Sequence, residues 1–154
     1  MIDVPQITKS TAQLTAVIRL TVPRAEIRKV MGPGIKELMA TIAAQGIAQA
    51  GPWFTYHRRM DPAVFDFEIS FPVATPVKAA GRVQPSQLPA RTVARTIYHG
   101  PYEGLVAAWG EFEAWIKANG HKTAPDHWEC YVAGPESSPD PANWRTELNH
   151  PLLD

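Results

Sequence analysis

His127-Trp128-Glu129-Cys130-Tyr131-Val132-Ala133 reads as a β-strand, and its Trp-x-x-Tyr core occurs once before, as Trp53-Phe54-Thr55-Tyr56. The flanking chain repeats with it. An amide–glycine pair precedes each copy, Gln45-Gly46 and Asn119-Gly120. A proline opens the helical stretch before that, Pro23 in one half and Pro101 in the other. Glu-x-x-x-Pro follows each copy, from Glu68 to Pro72 and from Glu147 to Pro151. Four matches in the same order mark an internal duplication. The loop from Gly134 to Asn143 is longer than its first-half counterpart and absorbs the change in spacing.

Working outward, each copy fills with the same elements. Leu14, Ala16, Ile18, Leu20 and Val22 alternate with mostly polar residues, the period of a strand with one apolar face. A helix follows Pro23, is interrupted at Gly32-Pro33-Gly34, and resumes with Ile35, Leu38, Met39 and Ile42 on one side. Gly46 suits its C-terminus. Residues 53–60 and 64–73 are extended, with the turn signal Asp61-Pro62 between them. Residues 75–89 hold three prolines and a glycine and read as a linker. The second copy then runs from a strand at 91–98, through a helix with the apolar stripe Leu105, Ala108, Trp109, Phe112, Trp115 and Ile116, to strands at 127–133 and 144–150. The first eleven residues fit a frayed end or an edge strand.

This order predicts an α+β fold, a tandem duplication of a strand–helix–strand–strand unit. Repeat one spans about 14–74, the linker 75–89, and repeat two 90–153, together forming a single domain over 1–154. Paired about a pseudo-twofold, the two units give a curved antiparallel sheet with two main helices behind it and a central groove.

The duplication also singles out a carboxylate. In the alignment by Trp-x-x-Tyr, Glu129 stands where the first copy has Phe54, on the same strand face as Tyr131. An unpaired buried charge is costly, so an acid replacing an aromatic needs a reason. It is either a solvated edge glutamate or a groove carboxylate that pairs with a cation or moves a proton, and the second reading is preferred. The alignment puts Tyr56 on the matching face. With Trp53, Phe54, Phe71, Tyr102, Tyr131 and Trp144 it completes a candidate aromatic wall for a flat ligand. Trp109 and Trp115 read as core residues, and Cys130 as an inert thiol pointing away from Glu129.

Composition narrows the classes. Fifteen basic and fifteen acidic residues give zero net charge, against a nucleic-acid-binding surface. The five histidines, at 57, 99, 121, 127 and 150, and a single cysteine show no metal-ligand spacing. No phosphate loop or nucleophile elbow is present, so neither metal nor cofactor is expected. The lone cysteine, the absence of a signal sequence and the short apolar runs predict a cytoplasmic protein off the membrane.

Several runs resemble a known family. Ile97-Tyr98-His99-Gly100-Pro101-Tyr102-Glu103-Gly104-Leu105, Trp115-Ile116-Lys117-Ala118-Asn119-Gly120, Trp128-Glu129-Cys130-Tyr131 and Trp144-Arg145-Thr146-Glu147-Leu148 look like the GyrI-like domain, also called the AraC-type effector-binding domain. Gly51-Pro52-Trp53-Phe54-Thr55-Tyr56-His57 and Phe71-Pro72-Val73 are similar to its first half. The resemblance covers about Leu14 to Leu152. It implies binding of small, often cationic and aromatic molecules in the central groove, with Glu129 as the contacting carboxylate and Tyr56 as the first-half tyrosine. Members fused to a DNA-binding domain are ligand-sensing regulators. The residues before Leu14 are too few for a helix-turn-helix, so a stand-alone member is expected. Three readings follow from the resemblance. One is a small-molecule binder. Another is a hydrolase of cyclopropane-bearing compounds, with Glu129 activating water and Tyr56 donating to the developing oxyanion. The third is a protein partner that inhibits gyrase.

Overall fold

The computed structural model describes residues 1–153 and resolves into two compact α+β units. One is continuous, Thr11–Ala90. It holds β2 (Gln13–Pro23), α1 (Ile27–Ala44), β3 (Phe54–His57), β4 (Val64–Pro72) and β5 (Val83–Leu88). Its strands are antiparallel in the order β3-β4-β2-β5. The other joins Met1–Ser10 to the chain from Arg91 onward. It holds β1 (Gln6–Lys9), β6 (Thr92–His99), α2 (Leu105–Ala118), β7 (His127–Ala133) and β8 (Arg145–Pro151), in the order β1-β6-β8-β7. The strand–helix–strand–strand repeat is present in both units, each with one added edge strand.

Of the two added strands, one departs from the sequence reading and the other decides between its two alternatives. Residues 75–89 are not all linker, because β5 lies within them and pairs along β2 from Gln13↔Leu88 to Ile18↔Val83. Pro85 hides this strand in the sequence. A proline lacks the ladder donor and is tolerated at an edge, where β5 sits. Of the two readings of the N-terminal residues, the edge strand is the one observed, with β1 pairing to β6 from Gln6↔Arg95 to Lys9↔Thr92.

Each sheet buries one face under its helix. In the continuous unit Ala16, Ile18, Phe67, Ile69, Phe71 and Val83 pack with Leu38 and Ile42 of α1. In the other, Ala94, Tyr98 and Leu148 pack with Ala108, Trp109, Phe112 and Ile116 of α2. The predicted interruption of the first helix does not occur, for α1 runs unbroken with Pro33 inside it. Gly34 is there for packing, since a Cβ at that position would lie 2.5 Å from Cδ1 of Ile69. Both helices end on the repeat-matched glycines, Gly46 at φ 67° and Gly120 at φ 78°. There the amides of Ile47 and His121 return to the carbonyls of Ile42 and Ile116.

Strand pairing fixes the true register of the duplication. On β3 and β4, Phe54 pairs with Ser70, Thr55 with Ile69 and Tyr56 with Glu68. On β7 and β8, Trp128 pairs with Asn149, Glu129 with Leu148 and Cys130 with Glu147. With Glu68 matched to Glu147, the counterpart of Glu129 is Thr55, that of Trp128 is Phe54, and that of Cys130 is Tyr56. The Trp-x-x-Tyr match is therefore one residue out of register, and a one-residue slip moves every side chain to the opposite face.

One contact ties the start of α2 to the sheet. The Tyr98 hydroxyl donates to the Pro101 carbonyl at 2.8 Å, and a Cβ at Gly104 would come within 2.0 Å of that hydroxyl oxygen. Gly104→Ala is expected to destabilise the fold by about 1–3 kcal/mol, the usual cost of overpacking a filled site. Adding Tyr98→Phe, which removes the clashing oxygen, should cost less in that background than in wild type. Chemical denaturation of the four proteins measures the coupling, and purely additive losses would contradict the contact.

Candidate ligand-binding site

Glu129 lies on β7 opposite Leu148, on the sheet face covered by α2. Alternation puts Tyr131 beside it on the same face. Both of its oxygens are occupied. The Trp109 indole Nε1–H donates to Oε1 at 2.6 Å, and the Tyr131 hydroxyl donates to Oε2 at 2.7 Å. Trp109 is 8% exposed, and its ring belongs to the apolar stripe of α2. A buried indole needs an acceptor for its one donor, and Glu129 supplies it. Among the described residues Glu129 makes no ion pair. The carboxylate is thus half-buried and held by two neutral aromatic donors, its charge hydrogen-bonded but not neutralised.

Two further aromatics extend this surface. Tyr102 meets Tyr131 edge-on, with ring centroids 5.8 Å apart and planes at 79°, and meets Trp144 at 5.1 Å and 37°. The Pro/Ser/Asp-rich loop before β8 fixes Trp144. The indole N–H of Trp144 donates to the Ser138 carbonyl at 2.9 Å. The loop itself is braced by the Ser137 hydroxyl on the Gly134 carbonyl and by the Ala142 amide on Asp140. Burial pushes the Tyr102 phenol above its usual pKa, with Glu136 and Glu129 adding to the effect. Tyr102 therefore stays a neutral donor, and among the described residues its hydroxyl has no hydrogen-bond partner.

The structure thus gathers four of the residues marked in the sequence, Glu129, Tyr131, Tyr102 and Trp144, within one unit. It adds Trp109, which the sequence reading favoured as a core residue. The signal for Trp109 was available in the need of a buried indole N–H for an acceptor, but no sequence pattern names the acceptor.

The first-half candidates are arranged differently. Trp53 and Phe71 stack at 6.3 Å and 22°, on the α1 side of their sheet. Tyr56 and Phe54 lie on the other face, opposite Glu68 and Ser70. They line a shallow cleft of about 200 Å³ with Thr15, Arg58 and Gln87. Arg58 approaches Glu68 at 3.5 Å. The shared-face reason for choosing Tyr56 as the partner of Glu129 does not hold, because the helix-side counterpart of Glu129 is Thr55. Cys130 points to the face opposite Glu129, as expected. Burial raises its thiol pKa strongly, with Glu147 adding to the effect, so it is no nucleophile at neutral pH.

No curated protein matches this sequence. Solved structures do match. The C-terminal domain of EcmrR is 23% identical, with 97% of each chain covered and a TM-score of 0.86. EcmrR in its complex with DNA is 24% identical at a TM-score of 0.85, and there this chain spans 57% of the longer protein. SAV2435 bound to tetraphenylphosphonium is 11% identical, with 97% of this chain and 94% of that one covered and a TM-score of 0.66. A hydrolase from Listeria innocua is 12% identical, covering 96% and 91%, with a TM-score of 0.65. At these identities the likenesses establish the fold alone. The family is established by the family model for the GyrI-like small molecule binding domain, which matches residues 4–153, and this chain belongs to that family.

Proposed function

We propose that the domain binds small, flat, hydrophobic monocations, with the Glu129 carboxylate as counter-charge and Tyr131, Tyr102, Trp144 and Trp109 as the aromatic surroundings. The observation that carries this reading is the pair of neutral donors on Glu129. Indole and phenol N–H and O–H groups orient a carboxylate without cancelling its charge, so an incoming cation finds a preorganised anion. Aromatic faces add cation–π attraction and apolar contact. The tetraphenylphosphonium carried by the SAV2435 structure is a hydrophobic aromatic monocation, tetrahedral and not flat, and it supplies a probe of the charge and aromatic parts of this reading.

A second reading, hydrolysis, draws on the uncommitted Tyr102 hydroxyl. For a cyclopropane fused to a conjugated dienone, water attacks the strained carbon and a ring C–C bond breaks. Its electron pair passes into the dienone, whose carbonyl oxygen becomes a phenolate. Glu129 would take the proton from water, and Tyr102 would donate to the developing oxyanion. Tyr102 is a second candidate for this role beside Tyr56, because it is in the same unit as Glu129 and burial raises its pKa.

For the binding reading, Glu129→Gln is expected to weaken tetraphenylphosphonium binding by about 1–3 kcal/mol. Tetraphenylborate, the anion of matched shape, is expected not to bind the wild type. Calorimetry checks both, and equal affinity of wild type and Glu129→Gln for the phosphonium would remove Glu129 as the counter-charge. For hydrolysis, chromatography of a cyclopropane–dienone compound incubated with wild type, Glu129→Gln and Tyr102→Phe should show product with wild type only. Conversion no faster than buffer leaves binding as the function.

A further inference from the structure

Trp109, the donor to Glu129, is itself seated by a second polar group. The rings of His127 and His150 meet it edge-on, at 4.7 Å and 69° and at 5.9 Å and 79°. His150 is 3% exposed. Its Nε2 lies 2.9 Å from the Ala124 carbonyl oxygen. A carbonyl only accepts, so Nε2 carries a hydrogen. Its other nitrogen, Nδ1, lies 3.3 Å from Oε1 of Glu113, one turn along α2 from Trp109. Neither Nδ1 nor that oxygen makes a hydrogen bond among the described residues, including with the other, so two buried polar atoms approach here without one.

A proton shared between the two groups would make this approach favourable. With hydrogen on Nε2, a neutral imidazole presents a lone pair at Nδ1, and an ionised carboxylate presents lone pairs as well. The contact is attractive only with one proton between them, either on Nδ1 facing a carboxylate or on Glu113 facing a neutral imidazole. Without that proton two acceptors face each other in a buried place. The Glu113 side chain is 38% exposed and can swing out into solvent, leaving His150 and the adjoining turn of α2 without their tie. The groups facing His150 are Glu113 from α2, His127 from β7 with ring centroids 5.7 Å apart, and the Ala124 carbonyl. On β6 the residue opposite is Ala94, which carries no charge. Glu129 is reached through Trp109.

We propose that Glu113 and His150 form a proton-holding positioning pair that seats Trp109 on Glu129, so that cation binding at Glu129 is linked to pH. The inference rests on Glu129 being the cation site. Its sign is set by position: with the proton present, the indole is held on the carboxylate, and affinity for the cation is high. Loss of the proton also adds negative charge to the pair, which pulls the other way, but the Glu113 side chain is 38% exposed and carries that charge toward solvent when it swings out, where it is screened. A fall in affinity with rising pH is therefore the mark of positioning, and a rise would be the mark of bare electrostatics.

Glu113→Gln tests the pair, because the glutamine amide N–H supplies a permanent hydrogen to Nδ1. Tetraphenylphosphonium affinity is measured from about pH 5.5 to 9 in wild type, Glu113→Gln and Glu129→Gln, and the Trp109 indole N–H resonance is followed by NMR over the same range. Wild-type affinity is expected to fall by about fivefold or more as pH rises. Glu113→Gln should stay at the wild-type low-pH level throughout. The Trp109 resonance should move with pH in wild type and stand still in Glu113→Gln. Parallel profiles for those two proteins, or an affinity that rises with pH, would overturn the pair. If Glu129→Gln binds the phosphonium as tightly as wild type, the cation site itself has failed, and the indole resonance alone then decides whether the pair positions Trp109.

Discussion

A carboxylate between two aromatic donors is the constraint on which the second unit is organised. Glu129 can be half-buried on a helix-covered sheet face only because Trp109 and Tyr131 satisfy both of its oxygens. An unpaired buried acid would otherwise cost several kcal/mol or take up a proton. The same two bonds fix other parts of the unit. Through the indole they tie α2 to β7. They also hold the Tyr131 hydroxyl, and the Tyr131 ring in turn meets Tyr102, which meets Trp144.

The two repeats use equivalent frames for different purposes. Where Glu129 stands opposite Leu148, the first repeat has Thr55 opposite Ile69, buried at 2% exposure. Where the second repeat has the polar pair Thr146 and His150 on its helix-side face, the first has Phe67 and Phe71. One helix-covered face is thus mostly hydrocarbon, and the other carries an acid, histidines and indole and phenol donors. The two copies share their backbone pairing, while the second carries polar groups where the first has apolar packing. The open face of the first repeat instead carries the Tyr56, Arg58 and Glu68 cleft.

Much of this was legible in the sequence, and the gaps have identifiable causes. Helix ends were readable because Gly46 and Gly120 do what only glycine does cheaply, adopting positive φ. The order of elements was readable from apolar periodicity. The register was not, because a Trp-x-x-Tyr coincidence outweighed the Glu-x-x-x-Pro match, and nothing local distinguishes a true strand alignment from one slipped by a single residue. β5 was hidden by Pro85, and the continuity of α1 by Gly32-Pro33-Gly34. At the site, Glu129, Tyr131, Tyr102 and Trp144 stood out by residue type. Trp109 and the His150–Glu113 contact depend on α2 crossing β7 and β8, which is tertiary information.

The central claim is that an uncompensated carboxylate, and not merely an apolar surface, receives the ligand. Its most direct test is a crystal structure with tetraphenylarsonium, whose arsenic can be located by anomalous scattering independently of the protein phases. The account predicts an arsenic peak within about 6 Å of the Glu129 carboxylate, lost in crystals of Glu129→Gln grown at the same concentration. A peak that lies elsewhere, such as over the Tyr56 cleft, or one that persists unchanged in Glu129→Gln, would contradict it.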